Sequence, residues 1–480
     1  MTRSSPPHLL VPDGSAGHRD CWVSPHPELL GRMRGDLGED HELRTLVELR
    51  RSRRPLGYGD GTIIPPNEFP LGTPMSVIRG AAAQRAPLRG AVRVLVVLVD
   101  FPDLAMTTTA VHLQELFFSN GVLPHGSVKE YYLEATHGLI EIVGDVVGPF
   151  RMSRPLSVYT NGGSGLGPSP SAADLAREAA LAARPHVNFA PFDNDGNGLV
   201  DAFIVVHAGP GAETTGSTAD IWSHKSTMAA GPITADGVRV FGYLTVPEDC
   251  RIGVCCHELG HLLFGFPDLY DTDQSSEGIG DWCLMAAGSW NGGGIAGARP
   301  GDVPAHPSAW CKAAQGWVDV TSPSSNGMLT IPDVKDGHGV LHLSPDGMRG
   351  TEYFLVENRQ RSGFDAGLPG GGLLVWHVDE SQRANTDDDH YMVALIQADA
   401  RRDLELSRNR GDDGDPFPGS RGNTALGSTT RPSTRSRSGV DTRVALTNVS
   451  PSGPVMTAQV DVVNGARPLE GVAGRQDQTG

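Results

Sequence analysis

Positive charge and long apolar runs are both scarce in this 480-residue sequence. Its 39 Lys and Arg residues face 56 Asp and Glu residues, which gives a formal net charge of −17. Because phosphate contacts require a basic surface, this balance argues against a nucleic-acid-binding protein. The most apolar stretch, Val92–Val99, is much shorter than the ~20 residues that a membrane-spanning helix needs. We therefore expect neither a nucleic-acid partner nor a membrane span.

Several other motifs are missing, and their absence argues against particular classes of protein. No continuous apolar core follows the basic start of the chain, so we find no secretory signal peptide. The six cysteines include no CxxC pair. Five of them lie between Cys250 and Cys311, which permits one or two disulfides and equally fits buried thiols. GxSxG, phosphate-binding glycine loops and Cys–His nucleophile patterns are not found.

Glycine and proline, in contrast, are plentiful. The 61 Gly and 36 Pro residues make up about a fifth of the chain, against ~12% on average, which favours loops and short strands. Near-continuous apolar runs predict buried strands at Arg93–Phe101 and Ala202–Gly209. Capping and periodicity predict helices at Ser127–Gly138, at Ala172–Arg184 and within Pro27–Arg54.

The character of the chain changes after about residue 325. Short alternating runs separated by Gly, Pro and Asp follow, which predict an antiparallel, sandwich-like β domain. We therefore predict an α+β protein with four parts. These are a prosegment-like region at 1–85, a catalytic domain at 86–322, a β-rich domain at 323–465 and a disordered tail at 466–480.

The strongest chemical signal is the sequence HELGH, which places His257, Glu258 and His261 in an HExxH pattern. On a helix, residues four apart share one face, so both imidazoles can bind one metal ion, typically zinc. Glu258 would then lie beside the metal-bound water as general base. Gly265 and Pro267 predict that the helix ends directly after the motif.

A catalytic zinc site needs a third protein ligand and leaves one position for water. Asp268, just beyond the predicted helix end, is our first choice. Asp271, Glu277 and Asp281 are the alternatives on the following loop. A turn carrying Met285 follows, as in metzincin-type sites, where a methionine lies beneath the metal.

A second motif, FDNDGNGLVDAF, has the oxygen spacing of a calcium loop. Asp193, Asp195, Asn197 and Asp201 are its predicted ligands. The twelfth position, which is Glu in an EF-hand, is Ile204 here, so we predict a short structural calcium loop. An Asx-rich turn is the alternative.

Several motifs in this order resemble the immune inhibitor A-like family of zinc metalloproteases. The motifs are VLVVLVDFPD, SVKEYYLEATHGLIEIVG, FDNDGNGLVDAFIVVHAG, IWSHKS, HELGHLLFGFPDLYD, LMAAGSW and EYFLVENRQRSGFDAGLPGGGLLVWHVDE. The resemblance implies a zincin-type catalytic domain, bound calcium, a β-rich C-terminal domain and an N-terminal prosegment. It carries over His257 and His261 as zinc ligands and Glu258 as base. Gly265 and Asp268 each come one residue later than in the family pattern. Many members are exported, so the resemblance suggests secretion.

The sequence thus predicts a bacterial zinc endopeptidase that acts on proteins or peptides. One alternative is a gluzincin-like site with a downstream Glu ligand, and another is a calcium-stabilised binding protein with a vestigial zinc site. Cys21 is the one cysteine far from the HExxH motif. Because a thiolate is a good zinc ligand, Cys21 could fill the fourth position and keep a zymogen inactive, which is self-inhibition by the N-terminal segment.

Overall fold

The computed structural model describes residues 21–35, 87–228, 230–344, 350–382 and 384–462. The predictions for the tail at 466–480, for helix beyond Gly35 and for most of the region 1–85 lie outside these residues.

The helices and strands lie along the chain in the following order. The α-helices are α1 (Pro27–Gly35), α2 (Ala110–Phe118), α3 (Val128–Ala135), α4 (Leu156–Thr160), α5 (Ala172–Ala183), α6 (Ala212–Thr215), α7 (Ile252–Phe264), α8 (Ala309–Ala314) and α9 (Val334–Gly337). The strands are β1 (Cys21–Trp22), β2 (Gly90–Asp100), β3 (Ile140–Arg151), β4 (Phe203–His207), β5 (His224–Thr227), β6 (Ile233–Ala235), β7 (Val238–Val240), β8 (Gly242–Pro247), β9 (Asp319–Thr321), β10 (Gly327–Pro332), β11 (Gly339–Leu343), β12 (Glu352–Arg359), β13 (Gly372–Asp379), β14 (Val393–Leu395), β15 (Ala445–Thr447) and β16 (Val455–Asp461).

A six-stranded sheet in the order β1-β5-β8-β4-β2-β3 forms the centre of the first half. Strands β3, β2, β4 and β8 are parallel, and β5 and β1 join antiparallel at one edge. Strand β2 is buried on both faces, as its apolar run predicts. Val94, Val96 and Leu98 face the core that contains α7, whereas Leu95 and Val97 face the core that contains α5.

Helix α7 carries the HExxH motif, and all thirteen of its residues are buried. It ends at Gly265, which adopts a left-handed φ of 64° and confirms the predicted stop. The helix lies so close to the following loop that a Cβ added at Gly253 would approach the Ser289 carbonyl oxygen to 1.8 Å. This loop therefore fixes the position of the helix against the sheet.

The C-terminal part contains a five-stranded sheet, β14-β13-β12-β11-β9, and a three-stranded sheet, β10-β16-β15. Residues from both sheets share one apolar cluster, which includes Phe354, Val375, Met456 and Ala458. The named strands within residues 323–465 pair antiparallel, as predicted, whereas β9, which precedes this region, pairs parallel with β11. The intervening strand β10 pairs in the other sheet, so the chain re-enters the first sheet in the same direction.

A buried ionic cluster joins the two halves. Lys312 of α8 donates to the Glu357 carboxylate at 2.7 Å, and Arg359 lies 3.3 Å from the same side chain. Arg359 also pairs with Asp365, which accepts the backbone N–H of His306 at 2.9 Å. Because these charges are buried, each depends on the others for its stability.

The remaining points concern membrane-spanning helices and disulfide bonds. No helix among the described residues has the length and apolarity to cross a bilayer. All six cysteines lie in the described ranges, are buried, and are not joined by disulfide bonds.

Candidate metal centre

His257 and His261 lie one turn apart on α7, and their Nε2 atoms are 3.0 Å apart. Each Nδ1 atom faces a backbone carbonyl, that of Leu284 at 2.9 Å for His257 and that of Phe266 at 2.5 Å for His261. A carbonyl oxygen can only accept, so both Nδ1 atoms carry the proton. In neutral rings this arrangement leaves a lone pair on each Nε2 atom, facing the other.

Two lone pairs at 3.0 Å cannot form a hydrogen bond, and a cation between them resolves the conflict. Burial lowers the pKa of His261, although the Asp268 carboxylate opposes this effect, and a low pKa favours the neutral ligand form. Backbone carbonyls that orient the other ring nitrogen are typical partners of metal-binding histidines. The histidine pair therefore fits a divalent metal.

Asp268 is the acidic residue that completes this set. One carboxylate oxygen lies 3.2 Å from Nε2 of His257 and 3.1 Å from Nε2 of His261. Burial opposes ionisation of Asp268, but positive charge at the two imidazoles would outweigh it and lower its pKa to about 2. A cation bound by the neutral rings acts in the same direction. A tetrahedral zinc site with bonds of ~2.0–2.1 Å has ligand atoms ~3.3 Å apart, close to the spacing observed here.

The three alternative zinc ligands are Asp271, Glu277 and Asp281, and two of them contact other groups. Asp271 accepts hydrogen bonds from the N–H and hydroxyl groups of Ser276, and burial raises its pKa to about 6. Burial also raises the pKa of Asp281 to about 6, and its carboxylate lies 3.7 Å from Arg410. Among the described residues, Asp268 but not Asp271, Glu277 or Asp281 shares a cluster of possible ligand atoms with His261.

Glu258 lies fully buried next to His257. Neither of its carboxylate oxygens has a hydrogen-bond partner among the described residues. Burial raises its pKa well above the ordinary value, and the carboxylates of Asp268 and Glu213 raise it further. The backbone amide of Val23 faces the carboxylate and opposes this increase, without an ordinary hydrogen bond.

Met285 packs against α7 at Gly260, next to His261. It is fully buried, and a Cβ added at Gly260 would approach its sulfur atom to 2.8 Å. Its carbonyl oxygen accepts the N–H of Leu269 at 2.8 Å, which ties the methionine turn to the segment that carries Asp268.

The N-terminal strand β1 covers this centre. Its pairing with β5 sets Cys21 opposite Lys225 and Trp22 opposite His224. The Trp22 carbonyl oxygen lies 3.3 Å from Nε2 of His257 and accepts the hydroxyl of Tyr270 at 2.8 Å.

Sequence reasoning missed Tyr270 and Trp22 as site residues. Trp22 stands beside Cys21, but nothing in its local pattern relates it to α7. Tyr270 follows Asp268 by two residues, and this closeness to a predicted zinc ligand was the signal that could have identified it.

The predicted calcium loop brings its acids together. Carboxylate oxygens of Asp193, Asp195 and Asp201 lie within 4.8 Å of one another. The backbone N–H of Asn197 donates to Asp193 at 3.0 Å and to Asp195 at 3.1 Å, so the loop closes on itself. The neighbouring Asn194 ties the loop to β2 through the N–H of Arg93 at 2.7 Å.

Comparison with known proteins relates the residues around this centre to a peptidase family. Residues 84–318 match the family model of the immune inhibitor A peptidase M6 catalytic domain. The chain is 31% identical over 272 residues to the pre-pro-metalloprotease PrtV of Vibrio cholerae. This alignment covers 46% of this chain and 29% of that protein. It is 32% identical over 206 residues to immune inhibitor A of Bacillus thuringiensis subsp. alesti. This second alignment covers 36% of this chain and 30% of that protein. The chain thus spans less than a third of the length of these relatives.

Proposed function

We propose that this chain is a zinc-dependent endopeptidase that hydrolyses peptide bonds in proteins, because residues 84–318 match the immune inhibitor A peptidase M6 catalytic domain. The observation that carries the proposal is the convergence of three donor atoms, from His257, His261 and Asp268, at 3.0–3.2 Å from one another. We propose these residues as the zinc ligands. When bound, zinc supplies Lewis-acid chemistry, which polarises a carbonyl group and makes water more acidic.

The protein groups around this position have complementary roles. We propose that Glu258, buried beside the ligands and without a hydrogen-bond partner among the described residues, takes a proton from the attacking water as general base. Tyr270 places its hydroxyl where it donates to a backbone carbonyl near His257. The β5 edge pairs with an extended segment in the present structure, and we propose that a substrate strand binds there once this segment has left.

We propose further that the Asp193, Asp195, Asn197 and Asp201 loop binds a structural calcium ion. The close approach of three carboxylates supports this assignment, since an uncompensated cluster of negative charge is unfavourable. The ion would stabilise the turn that leads into β4. We also interpret the two C-terminal sheets over their shared apolar core as the sandwich-like domain, with the boundaries 86–322 and 323–465 for the two domains.

Self-inhibition by the N-terminal segment is part of the same proposal. Trp22 and Val23 are almost completely buried against the centre, so a substrate cannot reach it while they are in place. We therefore propose that the segment must be removed or displaced before cleavage begins. The word pre-pro in the name of the Vibrio cholerae relative supports an inhibited precursor.

Casein cleavage by the chain freed of residues 1 to about 85, with zinc measured in parallel, tests the function. We expect Glu258→Ala to lose activity while it keeps about one zinc per chain, because the base is not a ligand. Glu141→Gln, which changes a partly exposed carboxylate on β3, is the matched control and should stay active.

Other outcomes would decide against the proposal. Zinc in both proteins without cleavage by either would favour the alternative, a binding protein with a vestigial zinc site. Absence of zinc from both proteins would refute the metal centre.

A further inference from the structure

Cys21 lies at the metal centre although it is far from α7 in the sequence. Its Sγ atom, a ring nitrogen of His261 and a carboxylate oxygen of Asp268 lie within 4.8 Å of one another. The side chain is only 5% exposed. Sulfur, imidazole nitrogen and carboxylate oxygen are the three donor types that zinc takes in proteins.

Glu258 gives an independent indication that a cation belongs among these side chains. It is 0% exposed, and neither of its oxygens has a hydrogen-bond partner among the described residues. Buried polar groups are almost always paired, so an unpaired carboxylate beside another carboxylate marks the place of a positive ligand.

Contacts on the C-terminal side of Cys21 hold it in this position. Beyond the β1–β5 pairing, the indole N–H of Trp222 donates to the Val23 carbonyl at 3.0 Å. The indole N–H of Trp290 donates to the Ser24 carbonyl at 2.8 Å. These bonds fix the backbone that carries the thiol, so its approach to the centre does not depend on a flexible side chain alone.

We propose that Cys21 is the fourth protein ligand of the catalytic metal in the full-length chain and thereby closes the position that water needs. This inference rests on the proposed function, because it concerns the same metal. The thiol releases its proton to solvent as the sulfur–metal bond forms. A centre with four protein ligands is closed, as in structural zinc sites, whereas a centre with three is open to water.

The Trp22 carbonyl oxygen is the competing donor. It lies 3.3 Å from Nε2 of His257, but it already accepts the hydroxyl of Tyr270 at 2.8 Å. Thiolates are the stronger ligands of zinc, whereas carbonyl oxygens suit magnesium and calcium. The two donors can be told apart because only one of them is sulfur.

X-ray absorption at the zinc edge of the full-length protein tests the proposal without a measurement of activity. We expect one sulfur at about 2.3 Å beside nitrogen and oxygen at about 2.0–2.2 Å. Cys21→Ser should lose the sulfur entirely. Cys250→Ser is the matched control, since Cys250 is also buried near α7 but lies outside the ligand cluster, and it should keep the sulfur.

A cobalt-substituted protein gives a second readout, because thiolate ligation adds a charge-transfer band in the near ultraviolet that Cys21→Ser should lack. Stoichiometric zinc with nitrogen and oxygen ligands alone would refute the role of Cys21 while leaving the proposed function intact. A sulfur signal that persists in Cys21→Ser would refute it equally. Absence of zinc from wild type, Cys21→Ser and Cys250→Ser would instead refute the proposed function.

Discussion

We expect the Tyr270 side chain to act in both the covered and the open state of the centre. Its hydroxyl holds the Trp22 carbonyl at 2.8 Å, and that oxygen lies 3.3 Å from a proposed zinc ligand, His257. A substrate carbonyl that replaces Trp22 would meet the same hydroxyl. Charge develops on this oxygen during peptide hydrolysis, so a fixed donor stabilises the transition state more than the ground state.

We expect Tyr270→Phe, in the chain freed of its N-terminal segment, to lower kcat by roughly 10²–10³-fold. KM and zinc content should change little, because the ring and the ligands remain. Steady-state kinetics on a peptide substrate, with zinc measured in parallel, checks this expectation. Tyr159→Phe removes a hydroxyl that bonds to Glu178 elsewhere and serves as control. An unchanged kcat in Tyr270→Phe would exclude the role.

At the scale of single elements, close packing around α7 limits what the helix can carry. A Cβ at Gly253 would come within 1.8 Å of the Ser289 carbonyl oxygen, and backbone cannot move aside as a side chain can. We expect Gly253→Ala to destabilise the protein by about 3 kcal/mol. The shift of the thermal unfolding midpoint measures this effect.

Gly31→Ala in α1 is the control for that substitution. No atom lies within 4 Å of a Cβ added there, and Ala is favoured over Gly in a helix by up to ~1 kcal/mol. We expect an equal or slightly higher midpoint for Gly31→Ala. Equal midpoints for both variants would contradict the packing argument.

The proposed calcium loop is a second element whose stability can be tested. Calcium at 100 times its Kd should add about 2.7 kcal/mol to the free energy of unfolding. We expect Asp195→Asn to lose most of this calcium-dependent gain, because one of three clustered carboxylates becomes neutral. Asp145→Asn, which removes an exposed charge on β3, should keep the gain. A calcium titration followed by thermal unfolding distinguishes the two.

Particular elements show what the sequence could predict. The buried strand β2, the capped helix α3 and the HExxH helix were predictable because their patterns are local. The parallel pairing of β9 with β11 was not, because it depends on which sheet β10 joins. The contacts of Trp22 with His257 and Tyr270 were also hidden, since they join residues more than 230 positions apart.

At the scale of the whole molecule, the buried ionic cluster connects the matched family domain to the C-terminal sheets. Arg359 is fully buried between Glu357 and Asp365. Removal of one member of such a cluster leaves an uncompensated buried charge, which costs about 3–5 kcal/mol. We expect Arg359→Met to lower the urea midpoint of both halves together. Arg361→Met, at an exposed position, should leave it unchanged.

Asp415 makes the same junction dependent on pH. Burial raises its pKa to about 7, although the Asp412 amide and the Trp282 indole donate to it and oppose the increase. The folded protein therefore holds a proton that the unfolded chain releases near pH 4. The resulting stabilisation is complete below that pH and is lost as the pH rises through 7.

The corresponding measurement is the free energy of unfolding between pH 5 and pH 8. A pKa increase from 3.8 to about 7 corresponds to about 4 kcal/mol in total, of which about 2.7 kcal/mol is lost above pH 5. We expect Asp415→Asn to reduce the loss of stability over this range, because the amide stays neutral. Asp413→Asn changes an exposed carboxylate nearby and should retain the wild-type dependence of the free energy of unfolding on pH. A wild-type slope in Asp415→Asn would exclude this residue as the cause.

The position of strand β1 has a consequence for the kinetics of activation. Under the proposed function, a centre covered by Cys21 and Trp22 of its own molecule would cut no bond, including the bonds that link β1 to β2. We would then expect the first cut on each chain to come from another molecule whose centre is already open. Conversion of the precursor to the processed chain would be a second-order process. It would be accelerated by the processed chain and by a higher concentration of the protein. A population of identical precursors would show a lag that a trace of processed chain removes.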